Sequence, residues 1–144
     1  MKLRTRLTLE NNYDHQIFHY AKDYAEADTI IIAAPYWDLS FPALLKNYTE
    51  TINVNGIVFQ YTEKGEVVWL CNAKNLIYIT TTGGKIISHE YGFGYIKDLA
   101  QKFHGIQNVE YIKAEGLDIE GANIEKILQK AEKDIDKIIN KFYQ

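Results

Sequence analysis

The sequence predicts an α/β fold built on a parallel sheet. Three observations predict it. Short β-branched runs alternate along the chain with amphipathic helical patterns. Two of those runs, residues 29–34 (TIIIAA) and 76–80 (LIYIT), are apolar without interruption, which is how a strand covered on both faces reads. The chain closes on a long helical pattern with one apolar stripe and one charged face. Strands alternating with helices imply right-handed crossovers. The expected order is helix, strand, helix, hairpin, strand, helix, strand, helix.

Residues 14–27 read as a helix, because Ile17, Tyr20, Ala21, Tyr24 and Ala25 recur at helical spacing. Asp28 ends it. The TIIIAA strand follows, and Pro35 stops that strand. Ser40 is the expected N-cap of a second helix, with Pro42 in its first turn and its end near Ile52. Residues 57–61 and 67–70 flank the loop TEKGE, which suggests a hairpin. The LIYIT strand comes next, then Thr81, Thr82, Gly83 and Gly84. Residues 95–103 form a helix with Ile96, Leu99, Ala100 and Phe103 on one face and Gly105 as its C-cap. Residues 109–114 are a third strand of the sheet. Asn123 is the N-cap of the last helix, whose stripe is Ile124, Ile127, Leu128, Ala131, Ile135, Ile138, Ile139 and Phe142.

At 144 residues and 16.7 kDa the chain is one domain, residues 1–144, large enough to bury a core. Apolar residues at 47% and charged residues at 24% exclude a disordered chain and a collagen-like repeat. A net charge of -3 gives no electrostatic basis for binding nucleic acid. The longest apolar run, residues 30–37, is too short to span a bilayer, and the first residues have no apolar core of a signal peptide. A single cysteine, Cys71, excludes a disulfide scaffold. A cytoplasmic protein without membrane contact is expected. The chain carries 11 Tyr, a content that suits flat ligands or an interface but that a core also absorbs.

Open α/β sheets bind ligands at the carboxyl ends of their strands. Two such ends stand out. The first is Pro35, Tyr36, Trp37, Asp38 and Leu39, which offers aromatic surface and backbone amides before a helix. The second is Thr81, Thr82, Gly83 and Gly84, where glycines let backbone N–H groups come close to a flat ligand. A double glycine alone is a turn signal. Two such loops on neighbouring strands would face one crevice.

The stretches ADTIIIAAPYWDLSFPALLKNYTETI, GIVFQYTEKGEVVWL, NLIYITTTGG and IKAEGLDIEG together resemble the flavodoxin-like NAD(P)H dehydrogenases. More narrowly, they resemble the FMN-dependent NADH-azoreductases and quinone reductases. The resemblance runs in one register from Tyr13 to the C-terminus. It implies a flavodoxin-like three-layer parallel sheet with an inserted β-hairpin. It also implies that Pro35, Tyr36, Trp37, Asp38 and Leu39 run along the isoalloxazine ring. Thr81, Thr82, Gly83 and Gly84 would hold its pyrimidine side. Asp38 stands where relatives often carry Asn. A carboxylate there would disfavour an anionic reduced flavin, which bears on redox tuning.

The chain departs from the family at its N-terminus. Relatives begin with a strand, a Ser-rich phosphate loop, a helix and a second strand. This sequence reads as N-terminally truncated relative to them, and the TIIIAA strand is then expected at a sheet edge. An apolar edge pairs with something. A second copy, the N-terminus, or another chain of a split enzyme are the alternatives. Residues 1–12 read as an extra strand or a flexible arm. Leu3, Thr5, Leu7 and Leu9 alternate there with Lys2, Arg4, Arg6 and Thr8.

Other candidates are weaker. His15 and His19 lie four apart on a helix, but no further ligand is placed to complete a metal site, and none is expected. His89 follows the double glycine and is a candidate for contact with flavin or substrate. Cys71 has no nearby basic partner in sequence and reads as a small buried thiol. There is no G-x-S-x-G, Walker A or G-x-G-x-x-G motif in the required context. The resemblance implies an FMN-dependent oxidoreductase that passes hydride from NAD(P)H through FMN to quinones or azo compounds. Its site would lie at the interface of a homodimer. The alternative is a flavodoxin-like protein that oligomerises without binding FMN. A third reading is an electron carrier.

Overall fold

The computed structural model describes residues 4, 7, 8 and 10–143. A short 3-10 turn, Gln16–Phe18, runs into α1, His19–Glu26. Then come β1, Thr29–Ala33, and α2, Ala43–Ile52. The hairpin strands are β2, Phe59–Tyr61, and β3, Val67–Trp69. β4 is Asn75–Thr82. α3, Tyr95–Leu99, lies between wider π turns at Glu90–Gly94 and Ala100–His104. β5, Asn108–Glu115, and α4, Ile124–Tyr143, complete the described chain.

The main sheet has the order β1-β4-β5, and both pairings are parallel. Ile30 stands beside Leu76 and Ile32 beside Tyr78. These four side chains face one side and pack with Tyr24 and Ala25 of α1, Ile52 of α2 and Ile96 of α3. The opposite side carries Ile77 and Ile112, which pack under Ile138 of α4 with Ala131, Ile135 and Phe142 around them. The molecule is therefore helices, sheet, helix. That is the three-layer α/β arrangement expected. Among the described residues β1 lies at the edge despite its central-strand composition, as expected.

Several local expectations need correction. Ser40 does not cap α2. Pro42 occupies the N-cap position with extended backbone, and the Ser40 hydroxyl instead donates to the Tyr91 carbonyl at 2.6 Å. Thr81 and Thr82 are not in a loop. They are the last residues of β4, paired with Ala114 and Glu115. Arg4, Leu7 and Thr8 are helical rather than extended, and Leu7 is buried against Phe18, Ala21 and Val54. The rest of the alternating pattern, Lys2, Leu3, Thr5, Arg6 and Leu9, lies outside the described residues.

Other signals act as expected. Gly105 takes φ 76° at the end of the third helical segment, the left-handed conformation that favours glycine. The Trp69 indole packs against it so closely that a Cβ would stand 2.6 Å from the ring, and the indole N–H donates to the Lys102 carbonyl at 3.1 Å. That contact fastens the hairpin to the helix. Asn123 caps α4 by accepting from the Lys126 N–H at 2.9 Å.

Candidate functional site

β1 and β4 are parallel neighbours, so their carboxyl ends open on the same side. Pro35, Tyr36, Trp37, Asp38 and Leu39 leave β1, and Thr81, Thr82, Gly83 and Gly84 end β4. The structure brings the two groups together. The Ala34 N–H donates to the Ile79 carbonyl at 3.0 Å, and the Tyr36 N–H donates to the Thr81 carbonyl at 2.8 Å. The ladder thus continues past the end of β1 into the first loop.

The chain then reverses within two residues. Trp37 and Ser40 exchange backbone hydrogen bonds of 3.1 and 2.7 Å around Asp38 and Leu39. Both central residues have positive φ, 48° and 69°. A tight reversal with two left-handed residues is normally the province of Gly and Asn. Leu there carries strain of about 1–2 kcal/mol, which the four flanking hydrogen bonds hold in place. The result is a rigid turn that presents Trp37 outward, 60% exposed. Asp38 is exposed on the same turn.

The second loop is braced from the other side. The Asp118 N–H donates to the Gly83 carbonyl at 2.9 Å, and the Gly116 N–H donates to the Gly84 carbonyl at 2.8 Å. A Cβ on Gly83 would meet the Asp118 carboxylate at 2.2 Å. The loop after β5 can lie this close only because position 83 has no side chain. Gly84 differs: a Cβ there would meet nothing within 4 Å. Gly84 therefore borders open space on the solvent side of the strand ends.

Sequence reasoning missed several residues around these loops. The Tyr36 hydroxyl accepts from the Ser88 N–H at 3.3 Å, which ties the segment after Gly84 to the first loop. Phe93 and Tyr111 stack at 4.2 Å with an interplanar angle of 6°. His89 stands edge-on to Tyr111 at 5.5 Å, so its described contact is aromatic packing. Burial pushes the Tyr111 and Tyr78 hydroxyls up to about 12, so both stay protonated and neutral near pH 7. An apolar groove of about 630 Å³ adjoins the first loop, with Ala33, Pro35, Leu44 and Tyr48 among its walls. Leu44, Ile87 and Tyr91 remain 79%, 83% and 58% exposed. The signal that could have found them was the aromatic excess, which does not say which rings cluster.

The remaining candidates have local partners. The His15 ring accepts from the Ile17 N–H at 3.2 Å, and His19 faces Asp23 at 3.1 Å. Cys71 is half-buried, its thiol pushed up to about 12 by burial and donating to the Val58 carbonyl at 3.5 Å. That is a poor nucleophile. No helix of the described residues is long and apolar enough to cross a membrane.

A family model described as a flavodoxin-like fold matches residues 3–139. The chain is 42% identical over 130 residues to an FMN-dependent NADH:quinone oxidoreductase of Clostridium beijerinckii, which covers 89% of this chain and 63% of that protein. It is 39% identical over 137 residues to a protein of the same name from Coprothermobacter proteolyticus, covering 92% and 67%. The chain thus spans less than two thirds of the C. beijerinckii protein's length. Among solved structures, an azoreductase from Bacillus anthracis str. Sterne superposes with a TM-score of 0.78 at 24% identity, covering 96% of this chain and 73% of that one, a likeness of fold. The azoreductase AzrA superposes with a TM-score of 0.74 at 27% identity, covering 88% and 62%. With the family model matching residues 3–139 and a relative 39% identical over 92% of its length, this chain belongs to the flavodoxin-like fold family.

Proposed function

We propose that this chain carries the ring-binding half of an FMN-dependent NAD(P)H oxidoreductase that reduces quinones or azo compounds. The observation that supports the reading is the coupled pair of strand ends: the Tyr36 N–H to Thr81 carbonyl bond ties the segment entering the Trp37–Leu39 turn to the strand that runs on to open-faced Gly84. Both curated relatives described above bear the name FMN-dependent NADH:quinone oxidoreductase, which supports the quinone part of the reading.

The residues fit a flat heterocycle. Gly84 leaves room for a planar group to approach the backbone, and a side chain there would fill that room. Trp37 offers an exposed aromatic face. The backbone around Asp38 and Leu39 is fixed before any ligand arrives, so little ordering cost falls on binding. When bound, FMN supplies the two-electron chemistry. The protein's part is to seat the ring with Pro35, Tyr36, Trp37, Asp38 and Leu39 on one side and Thr81, Thr82, Gly83 and Gly84 on the other. Exposed Leu44, Ile87 and Tyr91 suit an acceptor's apolar body or the second copy of a homodimer. The exposed Asp38 carboxylate would raise the cost of negative charge on a reduced ring beside it. A cytoplasmic location is part of the same reading.

The test is the visible spectrum of the purified chain after incubation with FMN and desalting. A retained flavin band that bleaches on adding NADH and returns with a quinone is the expected result. A colourless protein at high micromolar FMN would overturn the reading for this chain.

A further inference from the structure

Residues 85–91 run from Gly84 into the π turn before α3, and little of the fold holds them. Residues 85–88 have no regular structure and, among the described residues, make no backbone-to-backbone hydrogen bond. None of residues 85–91 belongs to a hydrophobic core cluster. Ile87 and Tyr91 are exposed. A segment without ladder bonds or buried apolar contacts opens locally at little cost, so single side-chain contacts decide how ordered it is.

The strongest of those contacts lead to one turn. The Ser88 N–H donates to the Tyr36 hydroxyl at 3.3 Å, and the Ser40 hydroxyl donates to the Tyr91 carbonyl at 2.6 Å. Tyr36 and Ser40 flank Trp37, Asp38 and Leu39, so the segment is pinned on either side of that turn. Two further contacts are weaker. Lys85 faces Glu115 at 3.6 Å on the exposed surface, and His89 stands edge-on to Tyr111. Gly92 fits the same plan. A Cβ there would lie 3.7 Å from the Ser40 backbone, so the chain after the segment runs in contact with the turn. Ser40 also closes the turn through its exchange of backbone hydrogen bonds with Trp37. One residue therefore belongs to the rigid turn and holds the loose segment.

We propose that Ser40 is a positioning residue that couples the two. The inference rests on the ring seat proposed above. A flat ring held against the turn at Trp37, Asp38 and Leu39 fixes Ser40, and Ser40 acting through Tyr91 orders residues 85–91. Ile87 and Tyr91 are thereby held as a wall for the acceptor. The coupling is reciprocal, so an ordered segment also favours the bound ring.

The test is limited proteolysis of the chain and of its Ser40→Ala and Ser40→Thr variants, with and without saturating FMN, read by mass spectrometry. Trypsin cuts after Lys85 and chymotrypsin after Tyr91. A cut after Lys130, inside α4, reports general loosening. Cleavage of a segment that opens and closes quickly follows the population of its open form. Loss of one neutral hydrogen bond predicts cuts at Lys85 and Tyr91 about three- to tenfold faster in Ser40→Ala. Lys130 should be unaffected, and Ser40→Thr, which keeps the hydroxyl, should match the parent. FMN should slow both cuts in the parent and much less in Ser40→Ala. With NADH and a quinone, Ser40→Ala should raise the acceptor KM more than it lowers kcat. Equal cutting of parent and Ser40→Ala overturns the proposal, as does equal acceleration at Lys130 or a failure of Ser40→Thr to restore the parent rate. So does FMN that is bound by the parent but leaves the cuts at Lys85 and Tyr91 unchanged. A parent that retains no FMN overturns the functional reading instead, and the cuts made without flavin still decide whether Ser40 holds the segment.

Discussion

His104 is a titratable side chain in the core, 1% exposed, and three elements meet on it. The Asn53 amide nitrogen donates to the Thr49 carbonyl at 2.7 Å, which turns its oxygen toward His104. That oxygen accepts from Nε2 at 2.8 Å, so Nε2 carries the proton and Nδ1 is left to accept from the Tyr24 hydroxyl at 3.0 Å. The ring is fully engaged only when neutral. Burial lowers its pKa to about 4 from the ordinary 6.5. Between those values the unfolded chain binds a proton that the folded chain refuses. Stability is therefore level above pH 6.5 and falls as pH drops toward 4, by about 3 kcal/mol in total. The carboxylates held low by lysine partners, such as Glu50 and Asp134, lose their contribution only at the acid end of that window. Urea midpoints from pH 7 to 5 should show the decline, and His104→Gln should flatten it while lowering the plateau. A flat parent curve would remove His104 as the cause. None of this was legible beforehand, because Tyr24, Asn53 and His104 sit on separate elements far apart in sequence.

At the scale of elements, the sequence spoke most clearly where composition and period agree. The β-branched runs gave β1 and β4, and the stripe on α4 reads directly as the Ile135 and Ile138 contact with Ile77 and Ile112. It failed where a tertiary partner decides. Ser40 looks like a cap, but its hydroxyl is claimed by Tyr91 from another segment. Thr81 and Thr82 look like loop because two glycines follow, but pairing with β5 extends the strand through them. The turn at Asp38 and Leu39 carries no glycine to announce it. The candidate site is therefore legible in its position and opaque in its detail. Gly84 gives the cleanest probe of it, since a larger side chain there touches nothing in the chain itself. Gly84→Val should weaken FMN binding about tenfold or more, roughly 1.4 kcal/mol, with a melting temperature close to the parent's. Equal affinity in a flavin titration would place the ring elsewhere. Gly83→Val would be uninformative, because it collides with Asp118.

Among the described residues the main sheet has three parallel strands with helices on both faces, the hairpin forms a second sheet, and the apolar β1 lies at one edge. The fold class and the family resemblance were present in the sequence as pattern, whereas β1 has the composition of a central strand and its edge position followed only from the resemblance. The coupling of the two loops was not, since a hydrogen bond between Tyr36 and Thr81 follows from register and not from spacing. The two tryptophans sit at informative places in this plan. Trp37 projects from the rigid turn at the strand ends, and Trp69 is bonded to Lys102 where the hairpin meets the third helical segment. The molecule thus carries two built-in fluorophores, one beside the proposed ring site and one on a structural clasp. In Trp69→Phe the remaining emission should be quenched as FMN is added. In Trp37→Phe it should respond mainly to denaturant. Quenching that follows Trp69 instead would move the flavin toward the hairpin. Two single-tryptophan variants, without dyes or tags, can therefore report ligand capture and loosening of the fold as separate optical signals.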